Sequence, residues 1–236
     1  MKKAELIIFD CDGTIADSEL LHNQAVSDVL AGLGYSDYTL EYCLDNFAGK
    51  GMTNVIAAIE NREAKRLPDD FLERYRDIAL LQLQKNVKPV TYAVEAVKIL
   101  AQDYKVCVAS NGEREHVLQS VESIGLLDVF GEDAVFTKSQ VERGKPFPDL
   151  FLYAAEKMGV SPERSIVIED SLTGARAGVA AGMETIGITA VSHHPEQIEK
   201  DMKNIGIVNV FNAWQDILTH IKGTVDSLKI ASCNNR

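Results

Sequence analysis

Short apolar runs alternate along most of the chain with longer amphipathic stretches. Runs rich in β-branched and aromatic residues, the mark of strands, fall at 6–9, 106–109, 134–137, 166–168, 185–188 and 208–211. The first, second and fourth are almost wholly apolar, as expected of parallel strands covered on both faces. Helical spacing predicts helices at about 91–102, 113–124, 147–158, 171–182, 195–204 and 212–222. This alternation implies right-handed β-α-β crossovers, and so an α/β fold with a doubly wound, mostly parallel sheet and a Rossmann-like core. Segment 171–182 carries Gly174, Ala175, Ala177, Gly178, Ala180 and Ala181, small residues that let a helix lie close on the sheet.

One region breaks the rhythm. Between Ser18 and Asn86 there is helical periodicity and no strand pattern. Leu21, Ala25, Val29 and Leu33 share one helical face, and Phe71, Tyr75, Ile78 and Leu81 share another. Pro68 followed by Asp69 and Asp70 reads as a helix start, with acids at the positive end of the dipole. An α-helical cap subdomain at 18–86 is therefore expected, inserted into an α/β catalytic core formed by 1–17 and 87–222. The mixed polar residues 223–236 are expected to form a loose tail.

Composition narrows the function. The chain of 236 residues, with 46% hydrophobic and 25% charged, can bury a sizeable core and has an ordinary soluble balance. No stretch approaches the roughly 20 apolar residues that cross a bilayer. The start, Met1-Lys2-Lys3-Ala4-Glu5, reaches Asp10 too soon for a signal peptide, so a cytoplasmic address and no membrane partner are expected. A net charge of −11 excludes nucleic acid as a partner. Cys11, Cys43, Cys107 and Cys233 show neither a C-x-x-C pair nor zinc spacing, and read as free thiols.

Ligands of open α/β sheets bind beyond the carboxyl ends of the strands. The residues there are Asp10-Cys11-Asp12-Gly13-Thr14, Ser110-Asn111-Gly112, Gly144-Lys145-Pro146 and Glu169-Asp170-Ser171. A carboxylate at Asp10 can attack phosphorus and become an acyl phosphate that water hydrolyses. Asp170 and Glu169 bring more carboxylate to the same rim, which suggests a hard divalent cation, and magnesium fits. Lys145 would be a point charge on a phosphoryl group and on Asp10, with Ser110 and Asn111 as further donors. Asp12 could protonate the leaving oxygen and then activate water.

Each of these elements alone has an ordinary explanation: a turn, a second turn, a solvated lysine, a helix-capping acidic pair. Their recurrence at successive strand ends is specific. The set resembles the four motifs of the haloacid dehalogenase superfamily, in the branch of β-phosphoglucomutase and 6-phosphogluconate phosphatase, over about residues 1–222. The resemblance implies Asp10 as nucleophile and Asp12 as acid/base. It also implies Mg²⁺ on Asp10, Asp170 and the backbone carbonyl of Asp12, and phosphate held by Ser110, Asn111 and Lys145. Glu169 is either a ligand or a group behind the ligands.

Asp12 argues against a dehalogenase, which has no leaving oxygen to protonate. The mutases of that branch carry lysine just before a cap glycine, whereas this chain reads Phe47-Ala48-Gly49-Lys50-Gly51. Hydrolysis of a small phosphorylated metabolite is thus favoured over phosphoryl transfer within it. Gly49 and Lys50 are the cap residues expected to meet the substrate, and His22 is a weaker candidate. His193-His194 is assigned to a helix entry. A receiver-type signalling module would place its acceptor acid after the third strand, where Lys138 stands here. A non-catalytic phosphate-binding protein would not need the full motif set. Oligomeric state is open at this level.

Overall fold

The computed structural model describes residues 3–233, with side chains followed through Gly223. The chain enters on β1 (Leu6–Phe9) and passes to β2 (Ala16–Asp17), which pairs antiparallel with β3 (Lys88–Pro89). Between those two short strands everything regular is helical: α1 (Glu19–Gly32), α2 (Leu40–Phe47), α3 (Met52–Glu63) and α4 (Phe71–Asn86). The chain continues through α5 (Ala93–Leu100), β4 (Lys105–Ser110), α6 (Arg114–Ser123), α7 (Leu127–Phe130) and β5 (Val135–Thr137). It then runs through α8 (Asp149–Lys157), β6 (Ser165–Glu169), α9 (Leu172–Ala180), β7 (Glu184–Ile188), α10 (Pro195–Asn204), β8 (Val210–Phe211) and α11 (Trp214–Cys233).

The six main strands form one parallel sheet in the order β5-β4-β1-β6-β7-β8. The chain builds outward from β1 to β5, then returns to β6 on the other side of β1. That reversal sets β1 centrally, with Phe9 opposite both Val108 and Ile168. Side chains alternate across a strand, so each strand feeds two cores. Ile7, Phe9, Val106, Val108, Ile166 and Ile168 face α5, α6 and α11. Leu6, Ile8, Cys107, Ala109 and Val167 face α8 and α9. This explains why the central runs are apolar throughout.

Helices α1–α4 have a separate core, in which Val26, Leu30, Tyr38, Phe47, Ile59 and Phe71 are buried together. On α4 the buried stripe is Phe71, Tyr75, Ala79 and Leu83, not the stripe ending at Ile78 and Leu81; Leu81 is 52% exposed. Steps of four residues hold one helical face, and the two three-residue steps to Leu81 drift away from it. The last strand is shorter than the apolar run suggested, since Val208 is exposed and pairing begins at Val210. The loose tail expected from 223 is also corrected. α11 runs through Gly223 to Cys233, and 234–236 lie outside the described residues. A single interior glycine costs a helix only about 1 kcal/mol.

Trp214, at the start of α11, is fully buried and lies 5.8 Å, centroid to centroid, from Phe9. Its indole N–H donates to the Thr14 carbonyl at 3.0 Å, tying the loop after β1 to the last helix. Trp214→Ala should destabilise the protein by about 3–5 kcal/mol, the usual scale for emptying a buried aromatic site. Trp214→Phe keeps most of the volume but withdraws the donor, and should lose about 1–3 kcal/mol. Denaturant unfolding at constant m-value measures both.

Candidate active site

The register of the sheet assembles the site. Continuing one step beyond the Phe9 pairs brings Glu169 level with Asp10, and the Asp10 N–H donates to the Ile168 carbonyl at 3.0 Å. β4 ends on Ser110 and β6 on Glu169, so Asn111 and Asp170 are the first residues past their strands. Lys145 arrives from the loop between β5 and α8. Asn111 clamps it there: Asn111 Oδ1 accepts from the Lys145 N–H, and Asn111 Nδ2 donates to the Lys145 carbonyl, both at 2.9 Å.

Lys145 is 8% exposed, Asp10 7% and Glu169 1%. The Lys145 ammonium donates to Asp10 Oδ1 at 2.5 Å and to Glu169 Oε1. It also lies 4.8 Å from the centre of the Phe151 ring. The second oxygen of Glu169 accepts from the N–H and hydroxyl of Ser171 at 3.0 and 2.9 Å. Asp170 accepts a single 3.4 Å bond from the Thr14 hydroxyl. One carboxylate oxygen each of Asp10, Glu169 and Asp170 lie within 4.8 Å of one another.

Two glycines make room for these acids. Gly13 has φ +79°, and a Cβ there would fall 2.1 Å from Asp170 Oδ2. A Cβ at Gly174 would fall 1.7 Å from Glu169 Oε1. The close helix expected from the small residues of 171–182 therefore has a specific purpose at this position.

Three acids against one lysine leave the cluster anionic. Burial first, and then the charge of Glu169, push the Asp10 carboxyl up to about 8, with Lys145 pulling the other way. Burial followed by Glu169 and Asp10 holds Asp170 well above the usual carboxylate range. Burial alone would lower the Lys145 ammonium, but Asp10 and Glu169 override it and hold the lysine charged. A cation is the group this donor set lacks, and hard oxygen ligands with one loosely bonded carboxylate suit a divalent ion.

Asp12 is in a different setting. Its side chain is a third exposed and turns away from the cluster. Ser18 donates to its Oδ1 at 2.5 Å and Ser110 to its Oδ2 at 3.5 Å. The Nε2 of His22 stands 3.6 Å from Oδ1. Burial opposes ionisation here, but His22 and the Ser18 hydroxyl overcome it and hold Asp12 below the usual range.

The structure thus brings Asp10, Asp12, Ser110, Asn111, Lys145, Glu169 and Asp170 to one rim. His22, the weaker sequence candidate, belongs to it. The amide of Asn111 is engaged with the Lys145 backbone. Gly49, with φ +71°, and Lys50 lie in an exposed turn between α2 and α3, and among the described residues nothing ties them to the carboxylates. His193 and His194 precede α10 on the surface. Ser18 escaped the sequence reading because a serine before a helix normally caps it; here it makes no cap bond and serves Asp12. Tyr75 is part of the cap core, and its hydroxyl also meets His22 Nδ1 at 2.9 Å.

Acids directly after the first strand, helices inserted behind them, and a lysine delivered from the loop after β5 define a capped hydrolase on a Rossmann-like sheet. The chain belongs to the haloacid dehalogenase-like hydrolase family, whose model matches residues 7–188. It is 28% identical over 195 residues to the 6-phosphogluconate phosphatase of Escherichia coli, covering 82% of this chain and 86% of that protein. It is 32% identical over 230 residues to the chloroplastic protein SUPPRESSOR OF QUENCHING 1 of Arabidopsis thaliana, covering 91% of this chain. The match spans only 21% of that longer relative. Among solved structures, a haloacid dehalogenase-like protein of unknown function from Agrobacterium tumefaciens superposes with a TM-score of 0.77 at 30% identity, covering 94% of this chain and 99% of that one. Among the described residues no helix is long and apolar enough to cross a membrane.

Gly174→Ala tests the seating of Glu169. The new methyl must displace the carboxylate that fixes Lys145. A shift of about 1 Å at such a group can reduce turnover on the order of 100-fold. Steady-state kinetics should show that loss while far-ultraviolet circular dichroism stays unchanged.

Proposed function

We propose that this chain is a Mg²⁺-dependent phosphatase of small phosphorylated carbohydrates, sugar or sugar-acid phosphates, acting through an aspartyl phosphate on Asp10. The observation that carries this reading is the buried Asp10–Lys145–Glu169 triad beside Asp170, a site with one nucleophilic carboxylate, one fixed cation and an excess of negative charge. The likeness to a 6-phosphogluconate phosphatase supports the substrate class.

The substrate phosphoryl group sits against the Lys145 ammonium and the Ser110 hydroxyl. An Asp10 oxygen attacks phosphorus, the bond to the alcohol oxygen breaks, and Asp12 gives that oxygen its proton. Water, giving its proton back to Asp12, then attacks the acyl phosphate, releasing phosphate and restoring Asp10. Magnesium held by Asp10, Asp170 and the Asp12 carbonyl would offset the repulsion between phosphate and carboxylates. Glu169 stands behind Lys145 and fixes it. Gly49 and Lys50 meet the substrate from the cap. Ala48, in place of the mutase lysine, favours release of phosphate over a second transfer.

Asp10→Asn should abolish turnover on every substrate, because an amide cannot form the acyl phosphate. Excess chelator should abolish wild-type activity, and Asp170→Asn should raise the magnesium concentration needed for half-maximal rate. A panel of sugar phosphates, sugar-acid phosphates, polyol phosphates and nucleotides defines the substrate. With a hexose 1-phosphate, inorganic phosphate should appear in stoichiometric yield. Accumulation of the 6-phosphate without free phosphate would overturn hydrolysis in favour of a mutase.

A further inference from the structure

Asp12 belongs to the sheet, yet the groups that reach it beyond Ser110 come from the helical insertion. Ser18 immediately precedes α1, and His22 sits within its first turns. Behind His22, its other ring nitrogen, Nδ1, is 2.9 Å from the hydroxyl of Tyr75 on α4. Tyr75 is 7% exposed, and burial holds its phenol well above the usual range, so it remains an O–H donor. A neutral imidazole has one N–H and one bare nitrogen, and the partner of one nitrogen decides the state of the other. A Tyr75 hydroxyl that donates to Nδ1 leaves the proton of a neutral imidazole on Nε2, the nitrogen facing Asp12.

Tyr75 is held from the core in turn. His116 on α6 is buried, and its Nε2–H donates to the carbonyl of Arg76, the residue after Tyr75, at 3.0 Å. The Arg76 guanidinium pairs with Glu113 at 3.0 Å. The His116 ring centre lies 5.9 Å from that of His22 and 6.1 Å from that of Tyr75. The hydroxyl therefore has a fixed address, set where α4 meets α6.

We infer that Tyr75 is a positioning residue for catalysis: its hydroxyl fixes the Nε2–H form of His22, and that N–H aims the Asp12 carboxylate at the leaving oxygen. The inference rests on the proposed acid/base role of Asp12. It places part of the proton-transfer apparatus on the insertion, so Asp12 is fully set only when α4 is seated on α6. The 3.6 Å separation of His22 and Asp12 shortens to a hydrogen bond once substrate is bound, as catalytic contacts often do.

The test compares an alkyl phosphate with an aryl phosphate such as para-nitrophenyl phosphate, whose departing oxygen hardly needs a proton. Asp12→Asn should lose roughly 10²–10⁴-fold in kcat on the alkyl ester and much less on the aryl one. If it shows no such difference, the acid/base reading of Asp12 fails, and the role of Tyr75 with it. Given that difference, Tyr75→Phe, which removes one oxygen and no packing volume, should lose about tenfold in kcat on the alkyl ester, with KM little changed and the aryl rate nearly intact. His22→Gln supplies a side-chain N–H near the Nε2 position without needing Tyr75. In that background Tyr75→Phe should have no further leaving-group-dependent effect. An equal loss on both esters, no loss on either, or an undiminished effect in the His22→Gln background would overturn the inference while leaving Asp12 in place.

Discussion

The Lys145 ammonium, buried between Asp10 and Glu169, is the interaction on which the rest of the site depends. Three charges removed from water are costly, and deleting one partner of such a group commonly costs about 3–5 kcal/mol because another is left unpaired. The surroundings are built to hold it. Asn111 fixes the lysine backbone from both sides, and Gly144 makes that approach possible, since a Cβ there would fall 2.5 Å from Asn111 Oδ1. Gly174 opens α9 to Glu169, and Ser171 satisfies the remaining glutamate oxygen. A buried ion triad gives little net stability. What it supplies is a fixed position for the Asp10 carboxylate.

The two aspartates of the first loop then acquire opposite characters although one residue separates them. Asp10 sits where burial and the charge of Glu169 raise its affinity for a proton, with the Lys145 ammonium opposing them. Asp12 is turned toward Ser18, Ser110 and His22, which favour its carboxylate. Environments that drive a pair of acids apart are how one fold assigns two roles to one residue type. An anionic phosphate placed beside Asp12 raises its affinity for a proton. The same group can thus carry the proton that a leaving oxygen requires and accept one from water afterwards.

The sheet and the carboxyl-end motifs were legible because both follow local rules. Short β-branched apolar runs such as 166–168, alternating with helical stretches, fit strands covered on both faces, and an acid such as Asp10 directly after one has no packing purpose. The misreadings arose where distance contacts decide. Leu81 looked like core because it extends an apolar series, and only the partner helices determine which four-residue ridge is buried. Gly223 looked like a stop, but one glycine is a small penalty within a long helix. Ser18 had a complete local explanation, as a cap, that concealed its bond to Asp12, and Tyr75 is core as its spacing indicates while its hydroxyl finds a partner 53 residues away. The division of labour between Glu169 and Asp170 was likewise invisible, because it turns on which of two adjacent side chains faces Lys145.

The helical insertion has its own apolar core and meets the rest of the molecule through the short β2–β3 ribbon and through contacts where α4 packs on α6. One is the partly exposed Arg76–Glu113 pair, a class of interaction worth about 0–1 kcal/mol. Another is the single His116 hydrogen bond to the Arg76 carbonyl. The proposed proton transfer needs Asp12 held within hydrogen-bond reach of the leaving oxygen. Ser18 and His22, both carried by the insertion, make that hold depend on how the insertion is seated. In the proposed mechanism Asp12 is fully supported only when α4 is seated on α6, the arrangement that would also shield a phosphoryl group from solvent.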